Sequence, residues 1–135
     1  DCTLRDGGLG LEDAEKNDLS HVRFSENDSR MTAGYLADSA IDIIELGSIE
    51  ITSDDRTGFC IYKNIEDISK QMPLKKKQNQ MFAALYRGPD TPIDDIPKWN
   101  PSLCEAVRVI IRYSELQKSL DFCAALSSKG YKVFV

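Results

Sequence analysis

Asp1-Cys2-Thr3-Leu4-Arg5-Asp6-Gly7-Gly8 opens the chain, and the fold turns on how it is read. Its pattern predicts a short strand that ends in a cation, a carboxylate and two glycines. Alternation along such a strand places Asp1, Thr3 and Arg5 on one face and Cys2 and Leu4 on the other. The glycines allow a sharp turn, which would swing Asp6 back toward the same open end. A guanidinium that is always charged, beside a hard oxygen ligand, is what chemistry at a metal-bound carbonyl requires. A surface Arg–Asp pair ahead of a turn is the other reading, and these eight residues leave both standing.

Outward from that stretch, residues 9–24 are rich in Asp, Glu, Lys and Asn and read as a long loop at the C-terminal end of the first strand. Ser25 opens a helix with an acidic first turn, Glu26 and Asp28. The run Ile41-Asp42-Ile43-Ile44-Glu45-Leu46-Gly47 is β-branched, closed by Gly, and predicts a buried strand. Residues 48–61 read as a second long loop, followed by a short helix over 64–72 that Pro73 stops. Residues 80–86 predict a third strand. The prolines 92 and 97 limit 93–99 to a distorted helical turn. Residues 106–112 predict a fourth strand, Ser114 a helix cap, Gly130 a helix stop, and 131–135 a fifth strand.

This alternation of strands and helices, with strands buried on both faces, implies an α/β fold with a parallel sheet. A doubly wound open sheet and a TIM barrel both fit it. Gly7-Gly8-Leu9-Gly10 lacks the spacing of a dinucleotide fingerprint and leads into polar residues. Charges inside the strands favour the barrel. If Asp1, Arg5, Glu45, Arg108 and Arg112 point inward they share one interior, where each must pair or bind something. Arg108, in mid-strand, is expected to pair with Glu45 or Asp1. Arg5, Asp6, Glu45 and Arg112 fall at or near the C-terminal strand ends, where barrel enzymes keep their chemistry.

The chain has 135 residues with 41% hydrophobic content, enough for the core of one domain, and a net charge of -5. That charge argues against nucleic acid or an anionic membrane as partner; Lys75-Lys76-Lys77 is the only basic run. No apolar stretch reaches membrane-spanning length. The four cysteines, Cys2, Cys60, Cys104 and Cys123, are far apart and read as reduced thiols of a cytoplasmic protein. Because the chain begins and stops in predicted strands, it is expected to be a segment of a longer protein.

The opening octapeptide resembles the signature of the DRE-TIM metallolyases, (β/α)8-barrel enzymes that make or break carbon–carbon bonds at a divalent metal. The group includes 3-hydroxy-3-methylglutaryl-CoA lyase, 2-isopropylmalate synthase and 4-hydroxy-2-oxovalerate aldolase. Ile43-Ile44-Glu45-Leu46-Gly47, Val107-Arg108-Val109 and Gly130-Tyr131-Lys132-Val133-Phe134-Val135 resemble the aldolase branch, in the same order and spacing. The resemblance implies a parallel (β/α)8 TIM barrel of which residues 1–135 supply about strands one to five. It implies that Arg5 stabilises an enolate oxygen, that Asp6 ligates Mn²⁺ or Mg²⁺, and that Glu45 lines the pocket. Thr3, on the face of Arg5, and Arg112, at a strand end, are further pocket candidates. The substrate would be a small 2-oxo acid or its aldol adduct, cleaved or formed through a metal-bound enolate of pyruvate type.

The chain also departs from that pattern. The family completes its metal site with a His-x-His pair on a later strand; here the one histidine is His21, so those ligands are expected beyond Val135. Where the aldolase branch has a histidine base four residues after the arginine, this chain has Leu9. His21 either replaces that base from the loop or is an exposed histidine without a role. Claisen chemistry on an acyl-CoA is the alternative within the family. A non-catalytic assembly module is the alternative outside it, since an open half-barrel should associate with other copies or with its missing half. An acylating aldehyde dehydrogenase partner follows from the resemblance only.

Overall fold

The computed structural model describes residues 1–51 and 54–135. It is an α/β fold with one five-stranded, all-parallel sheet in the order β2-β1-β3-β4-β5. The strands are β1 (Ile43–Ile49), β2 (Ile61–Tyr62), β3 (Met81–Tyr86), β4 (Ala106–Val109) and β5 (Lys132–Phe134). The helices are α1 (Thr3–Lys16), α2 (Glu26–Asp38), α3 (Ile65–Ser69) and α4 (Leu116–Ser128), with 3₁₀ turns at Thr57–Phe59, Ile93–Asp95 and Tyr113–Glu115.

The opening octapeptide is not the expected strand. From Thr3 it is helical, and the helix runs into the stretch expected as loop. Three glycines weaken helix propensity there, but tertiary packing overrides it. Leu4, Gly8 and Glu12, one turn apart, form the buried stripe of α1 against β1 and the Thr57–Phe59 turn. Gly8 is needed at the contact, because a Cβ there would collide with the Phe59 carbonyl. Asp1 alone keeps a place on the ladder. Its ammonium donates to the Ile43 carbonyl at 2.7 Å, and its carbonyl accepts from Glu45 N–H at 2.9 Å.

Elsewhere sequence and structure agree on element type and differ at the edges. Ser25 caps α2 in a capping box with Asp28, satisfying the first free N–H groups of the helix. β1 extends past the expected end to Ile49, so the predicted loop 48–61 also contains the end of that strand, a 3₁₀ turn and β2; residues 52 and 53 of that loop lie outside the described residues. β4 stops at Val109 rather than at 112. Ser114 does not cap α4, which starts after a 3₁₀ turn with Glu115 in the cap position and no side-chain cap bond.

The two faces of the sheet differ. Ile44, Leu46, Phe82, Ala84, Tyr86, Val107 and Val109 pack in one apolar cluster with Ala33 and Ala37 of α2, Ile65 and Ile68 of α3, and Phe122 and Leu126 of α4. Tyr86 and Phe122 meet edge to face, their ring centroids 5.4 Å apart. The alternate residues face the other way. Glu45, Ala83 and Ala106 are in register in one row; Ser48, Leu85, Arg108 and Phe134 form the next. A bulge between Glu45 and Ser48 puts both on this second face although they are three residues apart. Among the described residues, no helix longer than a 3₁₀ turn joins β1 to β2, and β2 pairs with Ser48 and Ile49 at the end of β1.

Candidate functional site

The second face of the sheet holds a charge cluster. Glu45 is 5% exposed and sits between two guanidiniums. Arg108 donates through Nε to Glu45 Oε2 at 2.8 Å and through Nη2 to Oε1 at 2.9 Å, a two-pronged pairing of planar groups. Arg5, carried in by the first turn of α1, donates its Nε to the same Oε1. Its Nη1 lies 2.7 Å from Asp6 Oδ1, and Cys2 Sγ donates to Asp6 Oδ2 at 2.9 Å. Burial alone would lower the Arg5 pKa; the Glu45 carboxylate, with Asp6 second, more than offsets it and leaves Arg5 more firmly protonated than usual. Ala83 and Ala106 occupy the same row, and their small side chains leave room for the ion cluster. Ser48 Oγ, on this face in the next row, is buried and has no hydrogen-bond partner among the described residues.

The structure brings Arg5, Glu45 and Arg108 together on one sheet face, and the expected Arg108–Glu45 pair is present. The other expected members do not join them. The carboxylate of Asp1 accepts from Thr3 N–H at 2.9 Å and from Thr3 Oγ1 at 3.1 Å, so Thr3 is engaged at the start of α1. His21 is exposed between α1 and α2 and, among the described residues, forms no hydrogen bond or ion pair with Arg5, Asp6 or Glu45. Arg112 belongs to a second cluster at the strand ends.

That second cluster lines an open cleft of about 580 Å³ at the C-terminal ends of β1, β3 and β4. Arg112 grips Asp90 with both Nη atoms (Nη1 to Oδ1, 2.8 Å), donates to the Arg87 carbonyl at 2.9 Å and reaches Glu115 Oε2 at 3.2 Å. Its guanidinium lies on the backbone of Gly88, at φ +147°, in space that any Cβ would fill. Arg87 pairs with Glu50, Glu50 with Arg56, Arg56 with Glu12, and Glu12 with Lys16 at 3.1 Å. Burial by itself would raise the Glu12 pKa, but Lys16 and Arg56 more than offset it and hold this carboxyl below its ordinary value. Reading the sequence missed Glu50, Arg87 and Asp90. The one available signal was the Arg87-Gly88-Pro89-Asp90 turn directly after a strand.

A metal ion finds little to bind here. Asp6, the expected ligand, is exposed and already engaged by Arg5 and Cys2. Among the described residues no group of three or more His, Cys, Asp or Glu side chains could hold an ion. The donors in hand do not amount to a metal site. Also among the described residues, no helix is long and apolar enough to cross a membrane.

Fold and clusters define an α/β chain with a parallel sheet, an ion triad on one sheet face and an arginine-lined cleft at the strand ends. No protein-family model matches the chain, and neither the curated proteins nor the solved structures offer a match.

Proposed function

We propose that this chain forms part of a (β/α)8 barrel lyase that cleaves or forms a carbon–carbon bond of a 2-oxo acid, as its resemblance to the DRE-TIM metallolyases implies. The observation that carries the reading is Arg5 held on Glu45, with Arg108 on the same carboxylate, on the sheet face that α2, α3 and α4 leave free. Strands β1, β3, β4 and β5 add in chain order on one side. Right-handed crossovers then put their helices on one face, which is how a barrel grows. In such a barrel the charged face is the interior. Glu45 would orient Arg5, and a guanidinium fixed in advance stabilises the oxyanion of a developing enolate.

One observation favours a second architecture. Counted with β2, the order 2-1-3-4-5 is that of a doubly wound open sheet whose direction reverses at β1. Against it, β2 spans two residues, and α2, α3 and α4 all pack on the same face, whereas doubly wound sheets are covered on both. The deciding assay is cleavage of a 4-hydroxy-2-oxo acid to pyruvate by the barrel protein containing this chain, with Mn²⁺ or Mg²⁺ supplied. Arg5→Lys should lower kcat on the order of 10²–10³-fold, the usual loss for removing one preorganised oxyanion donor. Unchanged turnover in that variant would sink the assignment.

A further inference from the structure

We propose that the cleft at the ends of β1, β3 and β4 binds a small organic monoanion, a carboxylate or a phosphate ester, on Arg87. Four observations lead there. The cleft, about 580 Å³, is of the size small-molecule sites have, and it lies at the carboxyl ends of the strands. It straddles β1 and β3, the two strands between which the sheet order reverses. Barrels and open α/β sheets both bind ligands at these ends, so the inference does not depend on which architecture holds, nor on the lyase reading.

Charge is the third observation. Two cations, Arg87 and Arg112, and two anions, Glu50 and Asp90, line the cleft, so it is locally neutral in a chain whose net charge is -5. The fourth is the free donor edge. Arg112 spends both Nη atoms on Asp90, Glu115 and the Arg87 carbonyl. Among the described residues, Arg87 spends only Nη1, on Glu50, so its Nε and Nη2 keep a planar fork without a partner there, and the Thr91 hydroxyl on the same wall has no partner among them either. A carboxylate or phosphate matches such a fork with two parallel N–H···O bonds. Ile51 and Ile110, both exposed, line the cleft and offer an apolar surface to the rest of the ligand.

The experiment titrates the 135-residue chain with 2-oxobutyrate in one arm and methyl phosphate in the other, followed by amide and arginine Nε chemical shifts. Saturable shifts at Arg87 Nε and at the amides of Gly88, Thr91 and Ile110 are expected in at least one arm, and the arm tells the two anions apart. Arg87→Gln should weaken binding at least tenfold and Thr91→Val about threefold, with both variants checked for an unchanged melting temperature. Arg30→Gln, on the exposed side of α2, should leave affinity unchanged. The proposal is overturned by any of three results: no saturable shift in either arm, equal loss in Arg30→Gln, or shifts centred on Arg5 and Arg108. Should Arg87→Gln not fold, Thr91→Val alone decides, and unweakened binding there overturns the proposal. Because the readout is binding at Arg87, its failure is separate from a failure of turnover at Arg5.

Discussion

The two faces of this sheet are made by alternate residues of the same strands and are held by different forces. On one face Ile44, Phe82, Ala84, Tyr86, Val107 and Val109 meet three helices in an apolar cluster. On the other, Glu45 is buried between Arg5 and Arg108. The first arrangement is non-directional and tolerates small shifts; its strength follows the area removed from water. The second depends on geometry, since a carboxylate taken out of water is stable only while its partners stay in place. A face that costs charge burial is a poor way to stabilise a fold and a good way to hold a guanidinium in one orientation. That difference separates the structural half of the sheet from the half where chemistry is proposed.

The comparison breaks first at the apolar face. Tyr86→Ala removes a ring that is 1% exposed and packed on Phe122, and should cost about 3–5 kcal/mol in urea unfolding. A loss below about 1 kcal/mol would mean that this face is not the main source of stability. Glu45→Gln tests the charged face. Removing one partner of a fully buried ion pair costs about 3–5 kcal/mol. Arg108 is 39% exposed at its side chain and is partly relieved by water, so about 1–3 kcal/mol is expected here. A stabilised Glu45→Gln protein would show that the cluster is under no constraint from Glu45.

Two glycines of α1 sharpen the contrast, because α1 delivers Arg5 to the charged face. Gly8→Ala sets a methyl group against the Phe59 carbonyl and should undock the helix, costing about 1–3 kcal/mol or more. Gly10→Ala, with nothing within 4 Å, should stabilise by about 0.5–1 kcal/mol through helix propensity. Opposite signs in thermal melts two residues apart would establish the helix and its buried side; equal signs would count against α1 as described. The smallest effect concerns acid. The folded pKa of Glu12 lies below the unfolded value of 4.5, so the unfolded chain takes up its proton first as pH falls. The stability this carboxylate contributes is present above about pH 4.5 and is lost as pH drops through its folded value. Glu12→Gln should therefore flatten the acid limb of stability against pH, and an unchanged slope would remove Glu12 from the network.

What the sequence made legible was whatever depends on local pattern. The β-branched and aromatic runs at 43–49, 81–86 and 106–109 are strands because their side chains suit burial on both faces. Ser25 with its acidic first turn, Glu26 and Asp28, marks the start of α2 in the same way. The Glu45–Arg108 pair was readable because a charge inside an apolar strand demands a partner.

What only the tertiary structure decided was whatever depends on residues far apart. The octapeptide has the alternation of a strand and the glycines of a turn, yet it is helical, because the Phe59 carbonyl and β1 offer its Leu4–Gly8–Glu12 stripe a place to be buried. β2 is two residues long and exists only because the end of β1 has an open ladder beside it. Glu50 finds Arg87 across 37 positions, and Arg112 finds Asp90 across 22. No local pattern can carry such pairings, because the chain between the partners fixes their distance only after the sheet has set the strand order.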